Sequence, residues 1–337
     1  MSKLDGNLFV LSVLIVLLLA VGGAASGGNY LSIYNLQSMA NQVPEIGLLA
    51  IGVMLAMCSG NGGIDLSGIA LANLSGVASG LVALSIFPVD EAPVLFTITF
   101  AGGCLIIGVL GGALNGFLIS RFEITPILCT LGTQMAFTGA AVVFSEGRSV
   151  TIGSPPALYD LGNGLIFGVP ASFLIFLGAA LILGGVLRFT PYGMKLMLTG
   201  ANPKAALFSG FNRDRILITT YALSGLMAGL AGVIIAARNI NVKWDYGTSY
   251  LLIAILVAVM AGVRPEGGYG RIVNVVLSAI TLQLLSSLLN FVGFSNFVRD
   301  FAWGALLLCF LAVNRFELVD QVITRFSLGR AARAPKH

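Results

Sequence analysis

The chain is built from apolar runs long enough to cross a lipid bilayer, separated by short polar connections. A bilayer core of about 30 Å takes about 20 apolar residues of helix, within a range of about 17–25. Ten stretches qualify: 8–25, 43–58, 66–87, 94–119, 126–144, 165–187, 216–237, 249–262, 272–289 and 297–313. The second, fifth and eighth are short or interrupted by Gly and Thr. Composition points the same way, with 57% hydrophobic and only 9% charged residues. A soluble domain is about 45–50% apolar and about 25% charged, so lipid must be the solvent for most of this chain. The expected fold is an all-α polytopic membrane protein of about ten transmembrane helices in two pseudo-repeated halves. Residues 1–337 form a single transmembrane domain.

The 43 glycines fit that environment, because small residues let helix backbones approach closely in a membrane. Gly108, Gly112 and Gly116 recur every four residues and give one span a small face. Gly225 and Gly229 do the same in another. Both faces are expected to pack against neighbouring helices. The first apolar run follows Lys3 and Asp5, and reads as an uncleaved span rather than a signal peptide.

Alternating ten spans divides the basic residues 14 against 4, which together make the 18 of the chain. The richer set contains both termini and the connections at Arg121, Arg188–Arg215 and Arg264–Arg271. The poorer set holds Arg148, Arg238, Lys243 and Arg299. Lys and Arg set orientation while acids contribute little, so both termini are expected in the cytoplasm. The same count makes 188–215 a cytoplasmic loop and 315–337 a cytoplasmic tail. The net charge of +4 sits in these connections and is no nucleic-acid footprint.

Catalytic chemistry is hard to find. The chain has no "GK" dipeptide, hence no phosphate loop of the Gly-x-x-x-x-Gly-Lys type. Its single histidine, His337, is the last residue and cannot support a proton relay. The acids fall at span ends and in loops, away from the membrane interior, where proton- and sodium-coupled carriers keep theirs. Cys58, Cys104, Cys129 and Cys309 lie in or beside apolar runs without metal-ligand spacing, and read as small buried hydrophobes. No catalytic residue, metal or cofactor is expected. If the chain moves a solute, the energy comes from another subunit.

Two segments carry the remaining signal. The runs 43–58 and 249–262 are brief and end in "SGNGGIDLSG" and "GVRPEGGYGR", each leading straight into another long helix. Short, Gly-interrupted segments in corresponding halves point to a transporter's central pathway. They are equally the composition of tight turns, in which Gly supplies positive φ. Asp65 fits as a cap on the next helix or as a guard at the inner mouth. The most polar and basic internal stretch is "TGANPKAALFSGF" at 199–211. Asn202-Pro203 is a good helix start. Ala205, Ala206 and Leu207 form a small apolar face, Ser209-Gly210 ends it, and Lys204, Arg213 and Arg215 ring it with charge.

"GGIDLSG" at 62–68, "TPILCTLGT" at 125–133, "GANPKAALFSGF" at 200–211 and "GVRPEGGYGR" at 262–271 occur in the same order as in one family. The chain resembles, over nearly its whole length, the permease subunits of ribose-type sugar ABC importers. That branch is related to the branched-chain amino acid permeases. Two places depart from the family pattern: Gly68-Ile69-Ala70 after "GGIDLS", and Phe211 after Ser209-Gly210. The resemblance implies a type II-like importer permease in the bacterial inner membrane. It implies a second permease subunit, identical or not, and two ATP-binding subunits or one double-domain ATPase. It also implies a soluble substrate-binding protein on the outer side. The stretch Asn202, Pro203, Lys204, Ala205, Ala206, Leu207, Ser209 and Gly210 would then be a coupling helix seated on the ATPase.

An uncharged, hydroxyl-rich cargo suits a path of Ser, Thr, Asn and Gln. Asp65, Thr130, Thr133, Gln134 and Thr138 are the candidates; Thr130, Gln134 and Thr138 share one helical face. Interhelical hydrogen bonding explains the same residues. Arg238 and Lys243, in a poorly charged outer loop, are candidate receptor-docking charges. The alternatives are a permease for branched-chain amino acids or nucleosides, and a scaffold or channel without an ATPase.

Overall fold

A computed structural model describes residues 3–315. The helices are α1 (Lys3–Ala25), α2 (Ile33–Cys58), α3 (Gly68–Ile86), α4 (Pro93–Arg121), α5 (Pro126–Ser145), α6 (Pro156–Asn163), α7 (Ala171–Phe189), α8 (Pro191–Ala201), α9 (Pro203–Phe208), α10 (Arg213–Asn239), α11 (Tyr250–Met260), α12 (Ile272–Phe291) and α13 (Asn296–Arg315). Eight of them are long and apolar enough to cross a membrane, and the shorter α11 is also apolar. With α13, 20 residues long, they match the ten spans expected from sequence. Proline marks the first turn of α4, α5, α6, α8 and α9. There its missing N–H is no loss and its fixed φ already suits the helix.

Four short strands complete the described fold. β1 (Val150–Thr151) pairs with β4 (Asn241–Val242), and β2 (Leu165–Ile166) pairs with β3 (Val169–Pro170), both antiparallel. Three boundaries differ from expectation. The span expected at 165–187 begins only at Ala171, because residues 165–170 fold back as the β2–β3 hairpin. α6 and α8 are additional helices inside loops. The span expected at 43–58 is not short: α2 starts at Ile33, where the Ser32 hydroxyl accepts from the Asn35 amide at 3.3 Å, and runs 26 residues. Its polar first half, "IYNLQSMANQ", is helical but not apolar.

The bundle is organised around α2 and α10. The most apolar stretch of α2 is 83% buried inside the protein, against 11% for α1, whose Val13, Val16 and Leu17 face outward. α1 is therefore a lipid-facing helix and α2 a central one. α4 and α10 meet on their glycines, as the spacing predicts. A Cβ on Gly112 would stand 2.1 Å from the Tyr221 carbonyl oxygen and 2.9 Å from Gly225 Cα. Gly108 and Gly116 are equally close to the α10 backbone. In lipid, close packing of this kind takes over from hydrophobic burial as the force between helices.

The expected tail, 315–337, lies beyond Arg315 outside the described residues, as does His337. The described cysteines are all free; Cys58, Cys104 and Cys129 are buried as expected, but Cys309 is exposed.

Candidate functional site: a glycine junction beneath a capped helix

The loop from α7 to α10 is itself helical. Pro191 opens α8, whose Tyr192 hydroxyl lies 2.8 Å from Thr220 Oγ1 on α10. Burial pushes that phenol up to about 12, against the opposing pull of the Thr220 bond, so it stays a neutral anchor. α9 then starts as its sequence dictates: Asn202 Oδ1 accepts from the Ala205 amide at 3.0 Å, with Pro203 in the first turn. Gly210, at φ 75°, closes it. The apolar face is arranged differently from expectation. Ala206 is buried against its own chain, while Leu207 and Phe208 are 68% and 89% exposed. Lys204 and Ala205 are also exposed. The six-residue α9 therefore presents an outward apolar pair, Leu207 and Phe208.

Directly behind it, three segments meet backbone to backbone. The turn after α2 and the turn after α11, far apart in sequence, lie against each other: Gly62 donates to the Pro265 carbonyl at 3.2 Å, and Gly268 donates to the Cys58 carbonyl at 3.1 Å. The C-terminal end of α8 is wedged between them. A Cβ on Gly200 would stand 2.0 Å from the Cys58 carbonyl oxygen and 2.7 Å from Gly268 N. A Cβ on Gly60 would stand 2.6 Å from the Gly200 oxygen, and one on Gly267 only 2.4 Å from Gly60 Cα. The turn reading of these glycines holds, and close packing is added to it. Gly60, Gly267 and Gly268 have left-handed φ values of 80°, 96° and 79°, and they also let three backbones touch. The C-terminal end of α8, two residues before α9, is thereby in backbone contact with the turns that end α2 and α11.

The first of those turns carries Asp65, which is 2% exposed. Its Oδ1 accepts from the Ser67 amide at 3.0 Å and the Ser67 hydroxyl at 2.7 Å, while Oδ2 accepts from Ser224 of α10 at 2.7 Å. Asn115 of α4 donates to Ser67 Oγ at 2.7 Å. Asp65 thus fixes the entrance to α3 and ties it to α4 and α10, close to the capping role expected of it. It also borders a narrow cavity with Val53, Ser224 and Tyr250.

The other sequence candidates scatter. Thr130 is buried and donates to the Ile64 carbonyl at 3.0 Å and the Pro126 carbonyl at 2.8 Å; Thr133 donates to the Thr130 carbonyl at 3.2 Å. Both serve the helix and the Asp65 turn. Gln134 and Thr138 are half-buried, and Gln134 Oε1 is a buried acceptor with no partner in the described structure. Lys243 is exposed, but Arg238 turns inward to an ion pair with Glu45. Glu45 was the acid that sequence placed at a span end. It lies near the middle of α2, 1% exposed, and its Oε2 also accepts from Tyr246 at 3.1 Å and Tyr250 at 3.0 Å. Burial first, then the Glu45 charge, push the Tyr246 phenol up, which keeps it a donor. Asn73 of α3 holds the same loop through the Trp244 and Tyr246 carbonyls, at 3.1 and 2.9 Å. Glu45 and Asn73 gave no local sign in the sequence. Among the described residues no three His, Cys, Asp or Glu side chains gather to hold a metal.

Comparison with known proteins places the chain among membrane permeases. The family described as "Branched-chain amino acid transport system / permease component" matches residues 35–311. The chain belongs to this permease family. It is 31% identical to the ribose import permease protein RbsC of Bacillus subtilis over 315 residues, covering 92% of this chain and 91% of that one. It is 30% identical to the autoinducer 2 import system permease protein LsrD of Escherichia coli K12, over 86% of each chain. The ribose import permease protein of Haemophilus influenzae is 26% identical over 86% of this chain and 87% of its own. No solved structure matches.

Proposed function

We propose that this permease is the membrane-spanning subunit of an ATP-driven, binding-protein-dependent importer for a monosaccharide or related small polyol. It works beside a second permease subunit in the bacterial inner membrane, both termini in the cytoplasm, with ATP-binding subunits inside and a soluble receptor outside. The observation that carries the reading is α9 with its exposed Leu207 and Phe208, set on the Gly60–Gly200–Gly267 junction. A helix that only connected two spans needs no outward apolar pair. In this reading ATP binding moves α9, and the junction passes the movement to the ends of α2 and α11 and to the Asp65 turn. Of the two candidate docking charges, the exposed Lys243 is available for the receptor, since Arg238 is committed to Glu45.

The relatives named for ribose and autoinducer 2 favour a hydroxyl-rich cargo. So does the chemistry of the bundle: Glu45 and Arg238 satisfy each other, and Asp65 is saturated by hydroxyls and an amide. A zwitterionic amino acid would want fixed charges facing its path. The test is to purify the tagged permease with its nucleotide-binding subunit and receptor, and measure ATP-dependent uptake of labelled D-ribose, D-xylose, D-galactose and L-leucine in proteoliposomes. Uptake of a sugar without leucine supports the reading. Leucine uptake alone, or no co-purifying ATPase, overturns it.

A further inference from the structure

A cleft of about 250 Å³ lies between the first half of α2 and the second half of α12. Its polar lining is Asn35, Ser38 and Gln42 from α2 and Gln283, Ser287 and Asn290 from α12. The spacings, three and four on one helix and four and three on the other, put each trio on a single helical face. The two faces are in register: Gln283 Nε2 donates to Gln42 Oε1 at 3.2 Å, and the Ser287 hydroxyl donates to Asn35 Oδ1 at 3.3 Å. This is the polar half of α2 that hydropathy left out of the span.

Ser38, Gln42 and Asn290 are exposed on these faces. Gln42 is bonded within the protein to Ser38 and Gln283, but the exposed amide and hydroxyl groups left over would lose their water without replacement against hydrocarbon. The face therefore looks onto water or a polar solute, not lipid. Just beyond the cleft, the buried Pro44 has no amide hydrogen to offer the carbonyl four residues back in the same helix. The six lining groups carry no charge, and Arg299 enters only at the rim, donating to Asn290 Oδ1 at 3.4 Å. Carboxamides and hydroxyls both donate and accept, as sugar hydroxyls do, while Phe291 and Met39 offer apolar surface to a ring's C–H groups. Pockets for drug-sized ligands run about 300–1,000 Å³, so a cleft of about 250 Å³ matches a single sugar ring better than a longer chain.

We propose that the α2–α12 cleft is a station on the translocation path, holding the uncharged polyhydroxylated solute on its way through the bundle. This rests on the importer reading above. The test uses the whole transporter in proteoliposomes, with Cys309→Ser removing the exposed thiol. Ser38→Cys is then probed with a small cationic methanethiosulfonate. Reaction from the water phase, followed by at least tenfold loss of uptake with ATPase activity retained, is the expected result. The Gln42→Leu and Gln283→Leu pair is expected to lower uptake of D-ribose, D-xylose or D-galactose by a similar factor, while receptor-stimulated ATPase persists. An unreactive Cys at 38, or reaction that leaves uptake unchanged, overturns the cleft as a station even if sugar transport is intact. If the unaltered transporter takes up none of the three sugars, the substrate class falls for both proposals.

Discussion

Replacing Gly200 with Ala tests whether the glycine junction transmits movement. The new Cβ would lie 2.0 Å from the Cys58 carbonyl oxygen, where ordinary contact begins at 3.4 Å. Neither group is a side chain that can swing away, so the end of α8 and the turn after α2 must part by about 1.4 Å. That separation also stretches the neighbouring Gly268 N–H to Cys58 carbonyl bond, now 3.1 Å, out of range. Overpacking costs about 1–3 kcal/mol and the lost bond about 0.5–1.5 kcal/mol, so roughly 1.5–4.5 kcal/mol is expected in total. The α4–α10 glycine contact and the α2 core lie elsewhere and stay intact, so the variant is expected to accumulate in the membrane. Its coupling is expected to fail: uptake per ATP hydrolysed falls at least tenfold, measured with purified permease, ATPase and receptor in proteoliposomes. Gly210→Ala is the control, since Gly210 has φ 75° with open space around it and carries backbone strain without a clash. If Gly200→Ala transports with an unchanged ratio while Gly210→Ala does not, the junction is only a packing contact and the transmission argument fails.

Arg238→Met leaves Glu45 buried and uncompensated, which is expected to cost about 3–5 kcal/mol and lower the unfolding temperature of the purified permease. Adding Glu45→Gln to that variant is expected to restore most of the loss; no recovery in a thermal melt contradicts the ion pair. Lys243→Glu is expected to weaken receptor-stimulated ATPase without changing the basal rate, and more strongly at low salt, because exposed charges are screened. An equal loss of both rates would remove Lys243 from the docking surface. Gly112→Val drives side-chain atoms into the α10 backbone, 2.1 Å from a would-be Cβ, and is expected to abolish membrane accumulation on a quantitative blot.

Much of this fold can be read from local signals. Apolar run length located the eight long apolar helices, though not all of their bounds, because lipid imposes the same demand on each. The four-residue glycine rows located the α4–α10 contact, and Asn202-Pro203 with Gly210 located α9. The failures have a shared cause. Hydropathy measures fitness for lipid, so the polar helical turns of α2 from Ile33 to Gln42, which face protein and a polar cleft, were lost from the span. Ala206 reads as apolar surface, but which side of α9 it occupies depends on how the loop folds back on the bundle. The Glu45–Arg238 pair joins residues 193 positions apart and leaves no periodic trace. The meeting of the two glycine turns around Gly200 is likewise long-range; sequence could say that each was a turn, not that they touched.

Seating of α9 on an ATP-binding subunit through Leu207 and Phe208 is open to direct measurement. Ala206 is a poor probe, because it is buried in its own chain and a charge there would damage the permease itself. Leu207→Glu with Phe208→Glu changes only exposed positions, so the bundle is expected to fold. Each side chain buried on docking contributes about 1.5–3 kcal/mol, against about 8 kcal/mol for a whole micromolar association. Losing both, and placing two carboxylates there instead, is expected to weaken binding at least a hundredfold. The direct measurement is the affinity of the purified nucleotide-binding subunit for the detergent-solubilised permease, with and without these two substitutions. A hundredfold loss with an unchanged melting profile is the predicted result. Undiminished binding by a folded double variant would contradict α9 as the coupling element.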